Sequence, residues 1–171
     1  ATTKGVDDDT ADGFGKKYVD GLINDLKNGT YKPKPARRIY IPKANGKERP
    51  LSIPSFRDKL LQEVIRMFLE AIYEPNFSDF SHGFRPNRSC HTALKQAKIY
   101  FTGAKWFVEG DIKGCFDNID HDKLIGILQR KIKDSKFINI IRLMLKAGYV
   151  EDFKYHETYS GTPQGGILSP I

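Results

Sequence analysis

The chain has 171 residues, 39% of them hydrophobic and 29% charged, which is enough to bury the core of one ordinary domain or of a piece of a larger one. Its apolar runs are too short to span a bilayer, and its start lacks a signal-peptide pattern. The two cysteines, Cys90 and Cys115, cannot form a disulfide framework and suit a reducing cytosol.

The positive charge is concentrated in one stretch. The net charge is +7, and residues 32–59 carry nine Lys or Arg against two acidic residues, which is +7 in this stretch alone. The rest of the chain balances, with 19 basic and 19 acidic residues. A concentrated basic segment is typical of a surface that binds a polyanion. A solvated basic face without a partner would give the same composition.

The first part of the chain predicts a helix and a hairpin. After an acidic start, apolar residues at helical spacing predict a helix from Tyr18 to Leu26, with Gly29 as its C-cap. Two strands, Ile39–Ile41 and Leu51–Ile53, follow on either side of the turn signal Asn45-Gly46.

The middle of the chain predicts two helices that are joined by a polar loop over residues 78–88. Ser55-Phe56-Arg57-Asp58 resembles a capping box that opens a helix to about Tyr73. Ser89 caps the next helix. The residues expected to face inward are Leu61, Val64, Ile65, Phe68 and Ile72 in the first helix, and Ala93, Leu94, Ala97 and Phe101 in the second.

The last third predicts a strand, two helices and a hairpin. The apolar strand Trp106–Ile112 carries Asp111 near its end. Helices follow, with apolar stripes at Leu124, Ile127, Leu128 and Ile132 and at Phe137, Ile141, Met144 and Leu145, and residues 149–159 favour a hairpin. The predicted fold class is α+β with more helix than strand.

Asp111 is the candidate with the clearest chemistry. Nucleotidyl transfer needs an acidic residue on a rigid edge to hold Mg²⁺, and a nearby side chain to test the sugar, a position that Phe116 could fill. By itself, an Asp at the end of a strand also commonly caps a turn.

Four segments place Asp111 in a wider pattern. They are Ile41-Pro42-Lys43 through Arg49-Pro50-Leu51-Ser52-Ile53-Pro54, His82-Gly83-Phe84-Arg85-Pro86-Asn87-Arg88-Ser89, Gly110-Asp111 through Phe116-Asp117, and Gly161-Thr162-Pro163-Gln164-Gly165-Gly166. In order and spacing they resemble the reverse transcriptases encoded by group II introns. The resemblance covers nearly the whole chain.

The resemblance implies the fingers and part of the palm of a right-hand polymerase, helix-rich with antiparallel hairpins. We expect an N-terminal extension over residues 1–30, fingers over 31–104 and a partial palm over 105–171. The family's second catalytic motif, Tyr-Ala-Asp-Asp, would lie beyond Ile171. The 171-residue chain alone is therefore expected to be inactive, since Asp111 by itself cannot hold two ions.

The resemblance also assigns roles around the reaction centre. Asp111 and the carbonyl of Ile112 would bind Mg²⁺, and Phe116 would exclude a 2′-hydroxyl. The other residues implied at the nucleotide are Lys43 and Arg49 on the triphosphate, Gly114 and Cys115 beside Phe116, and Gln164 against the template–nucleotide pair.

The register of the hairpin decides whether Lys43 and Arg49 can act together. A two-residue loop at Asn45-Gly46 would pair Lys43 with Glu48 and place Lys43 and Arg49 on opposite faces. A three-residue loop with a bulge at Gly46 would place both on one face. We predict the bulged form, because binding one triphosphate needs both cations together.

The remaining implied contacts are with RNA. Arg37, Lys47, Arg85, Asn87, Arg88 and Gly165 would contact the template or other RNA phosphates, although a structural loop with Arg85 paired to Asp79 fits the same residues. The expected partners are an RNA template, a DNA primer, dNTPs and the intron RNA, without a membrane, and a homodimer is left open. We expect a cytoplasmic protein of a bacterium, or a protein of an organelle.

Three other interpretations remain open. The parent protein could be a non-catalytic RNA-binding splicing factor, although Asp111, Phe116 and Gln164 argue against it. It could be a retron or diversity-generating retroelement polymerase, with the same chemistry and another RNA partner, which the N-terminal extension disfavours. A basic protein-interaction domain would require four motifs by coincidence.

Overall fold

The computed structural model describes residues 3–12, 14–44 and 46–171. Within these ranges it contains five α-helices, four strands and two 3₁₀ turns. The helices are α1 (Lys16–Asn28), α2 (Phe56–Tyr73), α3 (Cys90–Tyr100), α4 (His121–Lys131) and α5 (Ser135–Leu145). The strands are β1 (Ala36–Pro42), β2 (Glu48–Ile53), β3 (Tyr149–Glu151) and β4 (Lys154–His156), and the 3₁₀ turns are Glu74–Asn76 and Phe116–Asn118. The prediction of a mixed fold with more helix than strand is confirmed.

The four strands form one sheet in the order β2-β1-β3-β4. Both predicted hairpins are present, and each pairs antiparallel. The sequence did not predict that the hairpins join, through a parallel pairing of Ala36 with Tyr149 and of Arg37 with Val150. Parallel neighbours come from distant parts of a chain, so no local pattern predicts them.

One hydrophobic cluster holds four of the five described helices together. It draws on α1 (Leu22), α2 (Leu61, Ile65, Leu69), α4 (Ile125, Leu128) and α5 (Ile138, Ile141, Met144, Leu145), with Tyr31 and Ile132. The cluster thus includes residues from each of the three predicted ranges 1–30, 31–104 and 105–171. The boundaries of these ranges stay a prediction.

The predicted helix ends agree with the structure. Gly29 ends α1 in the left-handed conformation, at φ +69°. Ser55 caps α2 by accepting a hydrogen bond from the Asp58 amide, and Ser89 caps α3 in the same way through the Thr92 amide. Short polar side chains at these positions satisfy amides that the first helical turn leaves unpaired.

Several predicted inward faces are wrong. In α2, Val64 and Phe68 are exposed while Leu61 and Ile65 are buried. In α3, Leu94 and Phe101 are exposed, and no described residue of this helix is buried. Spacing indicates that a helix has an apolar face, but burial also requires another element to cover it.

The predicted strand over Trp106–Ile112 is also absent. These residues lie outside every helix and strand, and the exposed fraction of Val108 is 100%. A strand needs a neighbour to accept its ladder of hydrogen bonds, and no other described segment pairs with this one.

Within the described ranges, no helix is long and apolar enough to cross a membrane.

Candidate functional site

The β1–β2 hairpin has the predicted bulged register. Ile41 pairs with Arg49, and the Lys43 amide donates to the Lys47 carbonyl at 2.7 Å, which leaves three residues in the loop. Gly46 is in the left-handed conformation at φ +76°, as such a loop requires. Asn45, the other half of the predicted turn signal, lies outside the described residues. Because alternate residues of a strand share a face, Lys43 and Arg49 lie on the same face. The prediction that these two cations share a face is therefore confirmed.

The segment around Gln164 lies against β2. Its carbonyl accepts a hydrogen bond from the Ser52 amide at 2.7 Å, and its side-chain Oε1 accepts one from Arg49 Nε at 3.3 Å. A Cβ atom on Gly165, which is at φ +95°, would lie 2.4 Å from Leu51 Cδ1. The positive φ favours glycine at position 165, and the predicted template contact of Gly165 stays a prediction.

Backbone hydrogen bonds fasten the Phe116–Asn118 turn to the segment that precedes Gln164. The Thr162 amide donates to the Phe116 carbonyl at 2.8 Å, and the Gly161 amide donates to the Ile119 carbonyl at 2.7 Å. A Cβ atom on Gly161 would lie 2.7 Å from the Phe116 carbonyl oxygen, so only glycine allows this approach. These hydrogen bonds join residues that are 46 and 42 positions apart in sequence, so the two segments form one unit in the fold.

His121 contacts the segment that is fastened to the Phe116–Asn118 turn. It is buried, and its Nε2 lies 2.7 Å from the Gly161 carbonyl oxygen. Since a carbonyl only accepts, Nε2 carries the proton, and the ring is a structural donor.

Asp117 forms a cluster of hydrogen-bonded side chains with Arg49 and Gln164. Gln164 Nε2 donates to its carboxylate oxygens at 3.2 and 3.3 Å, and the Ser160 hydroxyl donates to its carbonyl at 3.2 Å. Side chains of Arg49, Gln164 and Asp117 thus form a continuous chain of hydrogen bonds, next to half-buried Phe116. Gly114 opens the turn at φ +61°, and the neighbouring Cys115 is a free, exposed thiol.

Asp111 and Ile112 lie in the exposed segment that precedes the Phe116–Asn118 turn. No hydrogen bond or ion pair of the Asp111 side chain occurs among the described residues. No three His, Cys, Asp or Glu side chains come together as a metal site in the described ranges. Mg²⁺ prefers several oxygen ligands in octahedral geometry, so these residues do not fit a complete magnesium site.

The 78–88 loop is organised by its arginines. Arg85, 8% exposed in its side chain, donates to the Glu74 carboxylate at 2.9 Å and to the carbonyls of Ser78 and Ser81 at 2.6 and 2.8 Å. These contacts engage every nitrogen of the guanidinium, and the predicted contact of Arg85 with RNA phosphate stays a prediction. The alternative pairing of Arg85 with Asp79 is wrong, since Asp79 pairs with Arg88 at 3.0 Å.

Other residues of this loop remain accessible. Phe84 is 84% exposed, and both Phe84 and Asn87 have positive φ angles, 56° and 58°. Phe84 is thus presented to solvent by a backbone that an aromatic residue seldom adopts.

Two cations of the basic stretch over residues 32–59 donate hydrogen bonds to the N-terminal region. Arg37, which shares the strand face of Lys43 and Arg49, donates to the Lys4 carbonyl at 2.9 Å, and its predicted RNA contact stays a prediction. Lys59 donates to the Thr3 carbonyl at 3.0 Å.

Two further cations of this stretch pair with acidic residues. The hydrogen bond from Lys34 to Asp7 raises the pKa of Lys34, and the hydrogen bond from Arg57 lowers the pKa of Asp25. On the hairpin, the side chains of Lys43, Lys47 and Arg49 are exposed to solvent.

Residues 41–171 match the family described as reverse transcriptase (RNA-dependent DNA polymerase). The chain belongs to the reverse transcriptase family. It is 64% identical over its whole length to the group II intron-encoded protein LtrA of Lactococcus lactis subsp. cremoris, of which it covers 29%. It is 45% identical to the putative COX1/OXI3 intron 2 protein of Saccharomyces cerevisiae, over 99% of this chain and 20% of that protein.

A further relative is a maturase. Nuclear intron maturase 1, mitochondrial, of Arabidopsis thaliana is 40% identical over 54% of this chain and 13% of its own length. The resemblance to group II intron reverse transcriptases is confirmed, and this reverse transcriptase chain spans less than a third of LtrA.

The sequence did not single out Asp117, whose carboxylate the structure brings against Gln164. It follows Phe116 directly and was one of four titratable residues in a short stretch, the others being Asp120, His121 and Asp122. Nothing in their spacing separates Asp117 from the others. The distinguishing contact, with Gln164, joins positions 47 residues apart.

Proposed function

We propose that this chain forms the fingers and the first part of the palm of an RNA-directed DNA polymerase encoded by a group II intron. The whole protein would copy RNA into DNA and assist the splicing of its intron RNA. The observation that carries the proposal is the convergence of Arg49, Phe116 and Gln164, which lie far apart in sequence and are drawn together around one cluster. The intron-encoded and maturase relatives support the same function.

In this proposal the cluster receives the incoming nucleotide. Lys43 and Arg49 share a face of the hairpin and would bind the triphosphate, Lys43 as a point charge and Arg49 as a bidentate donor. Phe116 would exclude a 2′-hydroxyl by its bulk, with Gly114 and Cys115 in the same turn. Gln164 would lie against the template–nucleotide pair.

Asp111 is proposed as a carboxylate ligand of the divalent metal that reverse transcriptases use, together with the Ile112 carbonyl. Since the described residues do not make up a complete site, further ligands are required. We therefore propose that the 171-residue chain alone does not extend a primer.

RNA is the proposed partner of the exposed cations. Lys43, Lys47 and Arg49 project from the hairpin, and Phe84, Asn87 and Arg88 line the accessible part of the 78–88 loop. Phosphate contacts release counterions, so RNA affinity should fall steeply with salt. A DNA primer and dNTPs complete the set of proposed ligands.

The test is primer extension on an RNA template with the protein as its gene encodes it, beside its Asp111→Asn variant. We expect extension by the wild type and its loss in the variant, because an amide cannot replace a metal-binding carboxylate. Asp122→Asn is a matched control, since Asp122 is an exposed surface acid paired with Arg142. Inactive wild type with intact RNA binding would instead favour a non-catalytic splicing factor.

A further inference from the structure

The Gln164 amide sits between two side chains of opposite charge that fix its orientation. Arg49 Nε lies 3.3 Å from Oε1, and the Asp117 oxygens lie 3.2 and 3.3 Å from Nε2. A guanidinium only donates and an ionised carboxylate only accepts. The oxygen of Gln164 must therefore point to Arg49 and its nitrogen to Asp117, and the reverse orientation would break both contacts.

Asp117 is itself held in place by backbone contacts. Its amide donates to the Gly114 carbonyl at 3.2 Å, and its carbonyl accepts the Ser160 hydroxyl at 3.2 Å. The adjacent Phe116 carbonyl is fastened to the Thr162 amide at 2.8 Å. The carboxylate thus projects toward Gln164 from a turn that is fixed to the segment leading into Gln164.

The contact has a consequence for Arg49. Gln164 engages only Nε, and the two Nη groups of Arg49 have no acceptor elsewhere in the described part of the chain. A guanidinium anchored through one nitrogen keeps a fork of donors for an oxyanion. Fixing Gln164 therefore also fixes the direction in which Arg49 presents that fork.

We infer that Asp117 is a positioning residue, which orients the Gln164 amide and, through it, the Arg49 guanidinium for the incoming nucleotide. This inference rests on the proposed function. Asp117 itself does not touch the nucleotide. The neighbouring acid Asp122, which forms a surface ion pair with Arg142, has no such role.

The test compares single-nucleotide incorporation by the protein as its gene encodes it with that of its Asp117→Asn variant. A neutral partner weakens the contact and removes the constraint on the Gln164 amide. We expect kcat/KM for the dNTP to fall roughly tenfold, about the effect of losing one hydrogen bond to a charged acceptor, with most of the change in KM. Asp122→Asn should behave as wild type.

Two further variants separate positioning from a general structural role. Gln164→Glu places a second carboxylate against Asp117 and should lower kcat/KM more than Asp117→Asn does. The double variant combines Asp117→Asn with Gln164→Glu. In it, the side-chain amide at position 117 can donate to the new carboxylate at position 164, which can still accept from Arg49. We expect the double variant to recover several-fold relative to Gln164→Glu, whereas independent structural damage would make the two losses add.

The outcomes distinguish this inference from the proposed function. An inactive wild type overturns the proposed function, and the order of thermal stability of the 171-residue variants then tests the contact. If the wild type is active and Asp117→Asn has the same kcat/KM, the role of Asp117 is overturned. The role is also overturned if the double variant is no more active and no more stable than Gln164→Glu. Recovery in the double variant supports it even where Asp117→Asn alone folds poorly.

Discussion

Arg85 should be one of the most costly side chains to remove from the 78–88 loop. Its Nε and Nη2 donate to the Glu74 carboxylate, at 3.1 and 2.9 Å, and its Nη1 donates to the Ser78 and Ser81 carbonyls. The guanidinium carbon also lies 5.4 Å from the centre of the Phe77 ring. Arg85→Ala would therefore remove the contacts that join this loop to the end of α2.

The size of the effect follows from burial. Breaking a buried ion pair costs about 3–5 kcal/mol, because the remaining charge is left without a partner. The Glu74 side chain is 28% exposed and can regain some water, so we take the lower end, about 3 kcal/mol in the free energy of unfolding. For a chain of this size that corresponds to a fall of about 6–12 °C in melting temperature.

The assay is urea unfolding of the 171-residue chain followed by circular dichroism, with Arg88→Ala as the matched control. Arg88 pairs with Asp79, whose side chain is 85% exposed, so this ion pair should contribute less than about 1 kcal/mol. A loss in Arg85→Ala no larger than in Arg88→Ala would show that Arg85 is not a structural anchor. The RNA-phosphate role would then regain support.

Two more measurements test the fold. Burial raises the pKa of Tyr31, whose hydroxyl donates to Asp58, above its ordinary value near 10. The protonated tyrosine is favoured in the folded state, so its contribution is complete below pH 10 and is lost as the pH rises above 10. The urea midpoint of Tyr31→Phe should therefore fall less steeply above pH 10 than that of the wild type, and equal slopes would contradict this. Trp106 is the one tryptophan and is 91% exposed, so its fluorescence should show the emission of a solvated indole and ready quenching by acrylamide. A blue-shifted, protected spectrum would mean that the Trp106–Ile112 segment is covered.

Local sequence signals predicted the parts of the fold that neighbours along the chain decide. Ser55 and Gly29 mark helix ends because capping involves residues within one turn. The turn signal at Gly46 predicted the hairpin but left its loop length open, and the requirement that Lys43 and Arg49 share a face favoured the three-residue loop that the structure shows. Family motifs around Asp111, Phe116 and Gln164 identified the reverse transcriptase.

Contacts between distant segments were decided only by the tertiary structure. Leu94 has the spacing of a core residue and is exposed, since what covers a helix face depends on the rest of the fold. Arg85 is a residue type that commonly binds phosphate. In the structure its side chain is buried and pairs with Glu74, because the fold brings Glu74 beside it at the end of α2. Asp117 differs from the nearby acids because it contacts Gln164, 47 residues away. The backbone hydrogen bonds between Phe116 and Thr162 and between Ile119 and Gly161 bring the two together. The sequence determined the family and the local turns, while the contacts made by each charged side chain depended on which distant segments the fold brings together.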